Sequence, residues 1–410
     1  MSKMALQFAI GIVLVLGLSW LSSLLWGGKP ETLPEDKTWV YRPEMTVEQF
    51  GSENGLSLQA LKAVFGLKSP RDAGQTVSSF ALSKEQVFDQ AAKAQAIEAE
   101  HGSKNWFKIR LKFALWLAFL GTIFVLMRRG RITAGSRKWL YVGSLAAFGV
   151  ALGSDPSPMG TVKDAVVLLG AKGVIFPPRL IAFGVFMLLV ILANKFICGW
   201  GCQVGTLQDA IFRLNRDRRD RAGRFGQFKI PFAVTNTVRI VFFAGLTAAA
   251  FLWALDIVEP VDPFRAFKPQ TLGIVGGVFL GGVLLMSLFV YRPWCHLFCP
   301  FGLVGWLAEK ISLTKVRVDY DKCIGCEACS KACPSTVMDA ILKQDRVAPD
   351  CFACGTCIET CPTKAISWSA GKRAAPPAGK FGGSPGTEAP TAPPPAPDQA
   401  AHQTRRDAAE

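Results

Sequence analysis

The chain has 410 residues, half of them apolar, and a formal net charge of +15. That length allows two or three domains, and long uncharged apolar runs identify a polytopic membrane protein rather than a soluble one. The positive charge sits in short loops between the apolar runs, which is a signature of membrane topology and sets nucleic-acid binding aside.

Residues 5–26 are apolar and follow Met-Ser-Lys. The run is longer than a signal-peptide core and lacks a clear cleavage site, so 1–26 reads as an uncleaved transmembrane anchor. Residues 27–110 are polar and read as a small helical extracytoplasmic domain. They carry a faint repeat, Thr46-Val-x-x-Phe50 and Thr76-Val-x-x-Phe80, each followed by apolar residues at helical spacing. No catalytic constellation stands there, and a docking or spacer role fits best.

Residues 111–312 read as the membrane bundle. Apolar spans are expected at 113–127, 139–153, 180–197, 237–255 and 271–290, six with the anchor. The first two are short, and flanking Lys112 and Arg128 reach the interface by snorkelling. Residues 154–179 are ambiguous between an interfacial and a re-entrant segment. The last span is rich in glycine (273, 276, 277, 281, 282), which predicts close packing inside the bundle. The basic loops 128–138 and 203–229 fall on one side, which puts both termini in the cytoplasm of a multi-pass protein of the bacterial inner membrane.

Residues 313–369 hold the strongest signal. Cys323-Ile-Gly-Cys326-Glu-Ala-Cys329-Ser-Lys-Ala-Cys333-Pro334 is followed by Cys351-Phe-Ala-Cys354-Gly-Thr-Cys357-Ile-Glu-Thr-Cys361-Pro362. Both read C-x2-C-x2-C-x3-C-P, the bacterial two-cluster ferredoxin pattern, in which the fourth cysteine serves the other cluster. One [4Fe-4S] cluster is therefore assigned to Cys323, Cys326, Cys329 and Cys361, and a second to Cys351, Cys354, Cys357 and Cys333. Structural zinc uses paired C-x2-C units, which these triplets overfill. Iron-binding thiolates belong in a reducing compartment, in agreement with the charge rule. Residues 370–410, rich in Ala, Pro and Gly, read as a disordered tail.

The remaining four of the 12 cysteines form Cys198-Gly-Trp-Gly-Cys202 and Cys295-His-Leu-Phe-Cys299-Pro300, each with a glycine three residues on. The shared pattern suggests a parallel repeat of the flanking spans. At i, i+4 on a helix the two sulfurs share a face. Three readings stay open: a third metal centre, a dithiol/disulfide relay, or buried structural cysteines. Trp200, Trp294, Phe298, Phe301 and Trp306 crowd this rim, as an interfacial aromatic belt or a quinone pocket. Only His101, His296 and His402 exist, none inside an apolar span, so haem held by paired histidines is not expected.

At residues 179–366 these motifs resemble the membrane polyferredoxins of the NapH/NosR type, associated with periplasmic nitrate and nitrous-oxide respiration. The resemblance implies an electron conduit between the cytoplasm or membrane pool and a redox partner: a flavoprotein, a cytochrome or quinone. Two departures stand out. Gln203 follows the first pair where the family has proline, and 27–110 carries no covalent-flavin motif, so any flavin sits on a partner. The expected fold is mainly α, a bundle of about six transmembrane helices in membrane lipid with a small α+β two-[4Fe-4S] domain. The expected function is electron transfer without acid–base or nucleophilic catalysis. A second class, an assembly factor that reduces a metal ion or disulfide for a respiratory enzyme, uses the same cysteines.

Overall fold

A computed structural model describes residues 2–26, 38–67, 69–102, 105–377 and 379–381. It is mainly helical. Three described helices are long and apolar enough to cross a membrane: α1 (Ser2–Trp26), α5 (Trp106–Arg128) and α11 (Phe232–Trp253).

Between α1 and α5, residues 38–102 have an apolar core of their own, with Phe50, Leu61, Phe65 and Val87 at its centre. It is built by α2 (Val47–Asn54), α3 (Leu58–Phe65) and α4 (Lys84–Gly102). The two halves of the faint repeat meet here, since Thr46 and Thr76 pair across an antiparallel bridge. They are not alike in form. Thr46 starts a full helix through a capping box with Gln49, whereas Val77–Ser79 makes only a 3-10 turn. The Thr46 hydroxyl satisfies an otherwise orphaned amide, so Thr46→Ala should destabilise this unit by about 1 kcal/mol. Amide exchange across Val47–Asn54 in the whole protein reads that loss.

Helix α5 is longer than the expected 113–127. Asn105 caps it, and the helix carries three cations in its first two turns. Lys112 is buried among them, its ammonium donating to the carbonyls of Gly153 and Asp155. Next come α6 (Ala134–Ser144) and a π-helical continuation over Leu145–Ala151. The ambiguous stretch 154–179 contains a true helix, α7 (Pro158–Lys172), started by Pro158 and the Ser157 cap and ended by left-handed Gly173. Helix α8 (Pro177–Ala193) follows. The expected span 180–197 then breaks at Asn194, whose φ of 62° is not helical. The chain resumes as α9 (Phe196–Trp200) and α10 (Gln203–Leu214).

After α11, α12 (Ile274–Met286) is a shorter apolar helix, as is α8. Its glycines do not pack as expected. A Cβ at Gly277, Gly281 or Gly282 would meet no neighbouring element, Ile274 is 89% exposed, and only Gly276 backs onto the Pro260 carbonyl. The reason is position: α12 lies at the edge of the bundle, with Leu280, Val283 and Leu284 buried on one side and Ile274, Val275, Val278 and Leu285 exposed on the other.

Helices α13 (Pro293–Leu297) and α14 (Pro300–Glu309) lead into β1 (Thr314–Val318). Then come α15 (Ala328–Ala332), α16 (Val337–Lys343), α17 (Thr356–Thr360) and β2 (Ile366–Ala370). The strands pair antiparallel, Thr314 opposite Ala370, and so tie the two ends of the cysteine-rich unit together. Ordered contacts run past residue 369. Arg373 donates to Val316, Lys380 to Cys323, and Phe381 is buried beside Tyr320. Residues 382–410, most of the expected disordered tail, and His402 lie outside the described residues.

Side-chain contacts separate two ends of the bundle. One gathers Trp26 on the Ala151 carbonyl, Lys163 with Asp256, and Lys268 with Asp155. The other gathers Met127, Arg137, Ile191 and Leu288 against the 215–229 loop or the cysteine-rich unit.

Candidate iron–sulfur centres

The two ferredoxin-like loops have matching backbones. Gly325 and Ala353 occupy the same place in each, as do Glu327 and Gly355, and all four have positive φ. Alternating right- and left-handed residues turn successive amides into one hollow, which suits an anionic cluster. Glycine takes the strained position in one copy and the other position in its partner, which relieves each loop at a different point.

Cys323, Cys326, Cys329 and Cys361 line a single cavity with Pro362 and Phe381. Cys326 is exposed, and its three companions are half-buried. The second set lies deeper. Cys333, Cys351 and Cys357 are buried, and Cys354 is half-buried. Cys333, Cys354 and Cys351 are the thiols whose fields act most strongly on Cys357. No three described His, Cys, Asp or Glu side chains converge tightly enough to hold a lone metal ion. The donor set, eight thiols in two groups of four, fits two [4Fe-4S] clusters.

Buried charge fixes the second group. Burial pushes the Cys354 thiol up, but the Arg213 and Arg137 guanidiniums outweigh it and hold the thiol below its ordinary range. Arg137 also donates to the Cys354 carbonyl at 2.8 Å, and it pairs with Asp220 at 2.5 Å and Glu359 at 3.2 Å. Cys351 and Cys357 have no such cation first among their neighbours, and burial raises both.

The two C-x3-C segments are built alike. Cys198 lies in α9 and Cys202 caps α10, while Cys295 lies in α13 and Cys299 caps α14. Each pair therefore straddles a turn between two helices and does not share one helical face as expected. The glycine three residues on has a packing reason in both copies. A Cβ at Gly205 would meet the Cys198 carbonyl at 2.7 Å, and one at Gly302 would meet the Cys295 carbonyl at 2.7 Å. The pairs come together: Cys202, Cys299 and Cys198 all lie within electrostatic reach of Cys295. Three of these thiols are buried and Cys299 is half-buried.

The cation three residues before each pair crosses to the other copy. Lys195 donates to the Gly302 carbonyl at 2.5 Å, and Arg292 donates to the carbonyls of Cys198 at 2.5 Å and Gly199 at 3.0 Å. Each is paired with a buried carboxylate. Lys195 and Arg239 share Asp350, and Arg292 and Arg213 share Asp209. All of these side chains are at most 2% exposed. Sequence reading missed them, although a cation at the same offset in both copies, Lys195 and Arg292, was a visible signal.

Among the rim aromatics, Trp200 and Trp294 are fully buried, and Phe301 and Trp306 are buried too. Trp294, Phe298, Phe242 and Phe279 form one ring cluster. These side chains form core beneath the cysteines, which is not the surface belt considered above.

The second ferredoxin-like loop sits directly on the C-x3-C segments. Trp200 donates to the Ala353 carbonyl at 3.0 Å, and Trp306 to Ala348 at 3.1 Å. Gly199 is so close to the Phe352 carbonyl that any Cβ would overlap it. The groups thus run from a partly exposed set of four thiols to a mostly buried set, whose loop packs against the C-x3-C segments.

This geometry defines a ferredoxin-type iron–sulfur protein. The model of the 4Fe-4S dicluster domain matches residues 316–368, and that of the 4Fe-4S binding domain matches 175–221 and again 272–318, one C-x3-C segment in each. A ferredoxin from Methanothermococcus thermolithotrophicus is 41% identical over 58 residues, 13% of this chain and 93% of that protein. The chain resembles the NapH/NosR-like polyferredoxins. "Ferredoxin-type protein NapH" of Haemophilus influenzae is 26% identical over 217 residues, 51% of this chain and 70% of that protein. "Putative electron transport protein YccM" of Escherichia coli (strain K12) is 29% identical over 189 residues, 43% of this chain. The match spans about half of the Escherichia coli protein, 51% of its length. No solved structure matches the chain.

Proposed function

We propose that this protein is a membrane-bound electron conduit with three [4Fe-4S] centres in a row. The observation that carries the reading is the seat of the Cys351–Cys354 loop on both C-x3-C segments, with Trp200 donating to Ala353. Such centres, when bound, supply one-electron steps. Cys323, Cys326, Cys329 and Cys361 would hold the outermost. Cys351, Cys354, Cys357 and Cys333 would hold the middle one. Cys198, Cys202, Cys295 and Cys299 would hold the innermost, two thiolates from each copy of the repeat.

The protein's own part is to bury, orient and insulate. Buried cations near the thiolates lower the cost of their charge in a dry interior. The packed Trp and Phe rings exclude water from the inner set. Six spans fit the reading: α1, α5, α6 with its π continuation, α8, α11 and α12. The cysteine-rich unit lies in the cytoplasm, residues 38–102 lie outside as a docking or spacer domain, and electrons pass between the cytoplasm or quinone pool and a redox partner. The buried rim thiols favour a metal centre over a dithiol relay, which needs access for exchange.

Chemical iron analysis tests the count. About twelve irons per chain are expected, falling to about eight in Cys198→Ser/Cys299→Ser. About eight irons in the unaltered protein, unchanged by that double substitution, would leave only the two ferredoxin clusters.

A further inference from the structure

Phe352 stands one residue after Cys351 and enters the seam between the two copies of the membrane repeat. The Arg292 guanidinium lies 4.8 Å from its ring centroid and the Lys195 ammonium 5.5 Å. These are the equivalent cations of the two copies, each three residues before a C-x3-C pair, so one ring is held by both halves at once. His296 and Tyr291 meet it edge-on, at 5.2 and 5.9 Å. Its carbonyl abuts Gly199. Phe352 is buried, and its neighbours Gly199 and His296 each adjoin a rim cysteine.

From this juxtaposition we propose that Phe352 is the positioning residue that sets electron exchange between the middle and innermost centres. The inference rests on the three-centre reading. Two cations stacked on one ring favour a single placement, since each attraction falls off as the ring leaves the cation. The ring also fills the seam with packed atoms, where a smaller side chain would leave a void. Exchange between buried centres falls steeply as the gap widens or loses packed atoms. Phenylalanine takes no charge itself, so the electron leaves one centre and arrives on the other with no proton moved at the ring.

The test uses the full-length protein in detergent, carrying Phe352→Ala, Phe352→Leu or Phe352→Tyr. Two quantities are read by freeze-quench EPR after mixing with dithionite: the number of centres, and the rate at which the innermost signal appears once the middle one is reduced. With iron unchanged, Phe352→Ala should slow that step about tenfold or more, as misplacement near a reacting pair does. Phe352→Tyr, which keeps the ring, should stay within about twofold of the natural protein. If Phe352→Ala loses iron, Phe352→Leu decides, and a slowed step supports the role while the natural rate overturns it. Three signals with an unchanged rate in the alanine variant would also overturn it. Only two signals in the unaltered protein would instead overturn the three-centre reading.

Discussion

Asp350→Leu is expected to destabilise the protein by about 3–5 kcal/mol, because it strands two buried cations. The Asp350 carboxylate accepts from Lys195 and, at 3.0 Å, from Arg239, and all three side chains are 0% exposed. Lys195 belongs to the first copy of the repeat and Arg239 to α11 beside the second, while Asp350 directly precedes Cys351. One carboxylate thus joins three parts of the chain. The triad as a whole is not the source of the stability, since a buried ion pair often does no better than an apolar replacement. Breaking it from one side is what costs. Thermal unfolding in detergent reads the loss. Replacing the whole triad, as Asp350→Leu/Lys195→Met/Arg239→Met, should recover part of it, and no recovery would mean that the charges themselves hold the domains together.

Gly199→Ala should unseat the Cys351–Cys354 loop. The added Cβ would overlap the Phe352 carbonyl, which is backbone and cannot swing aside. Overpacking of this kind costs about 1–3 kcal/mol, and here the strain falls on a cluster ligand loop. We expect the variant to keep the outermost centre, whose four cysteines lie elsewhere, and to lose or broaden the EPR signal of the middle one. Gly184→Ala in α8 is the control, because a Cβ there meets nothing within 4 Å. Equal spectra for the two variants would mean that the loop does not bear on Gly199.

The parts of this molecule that were legible in sequence are those fixed by covalent spacing. The C-x2-C-x2-C-x3-C-P runs stand out because their short spacing marks an iron–sulfur ligand loop, and Cys323, Cys326, Cys329 and Cys361 do line one cavity. The long apolar helices α1, α5 and α11 were legible for a similar reason, since local hydropathy suffices to mark them. What depends on tertiary contact was not. Five glycines in 271–290 predicted an inner helix, but glycine permits close approach without causing it, and α12 stays at the edge. The i, i+4 spacing of Cys198 and Cys202 suggested one helix face, but Cys202 ends up as a cap on the next helix, and spacing alone does not reveal the break. Asp350 and Phe352 look like ordinary loop residues until the repeat cations close on them. Lys195 and Arg292 were readable in principle, as the same charge at the same offset in two copies.

The most direct test of three centres in a row is a redox titration of the purified protein followed by EPR. Three signals are expected, the middle one broadened by both neighbours. Cys198→Ser/Cys299→Ser should then remove one signal and sharpen the middle one. Two signals in the natural protein, with the same shape in that variant, would contradict it.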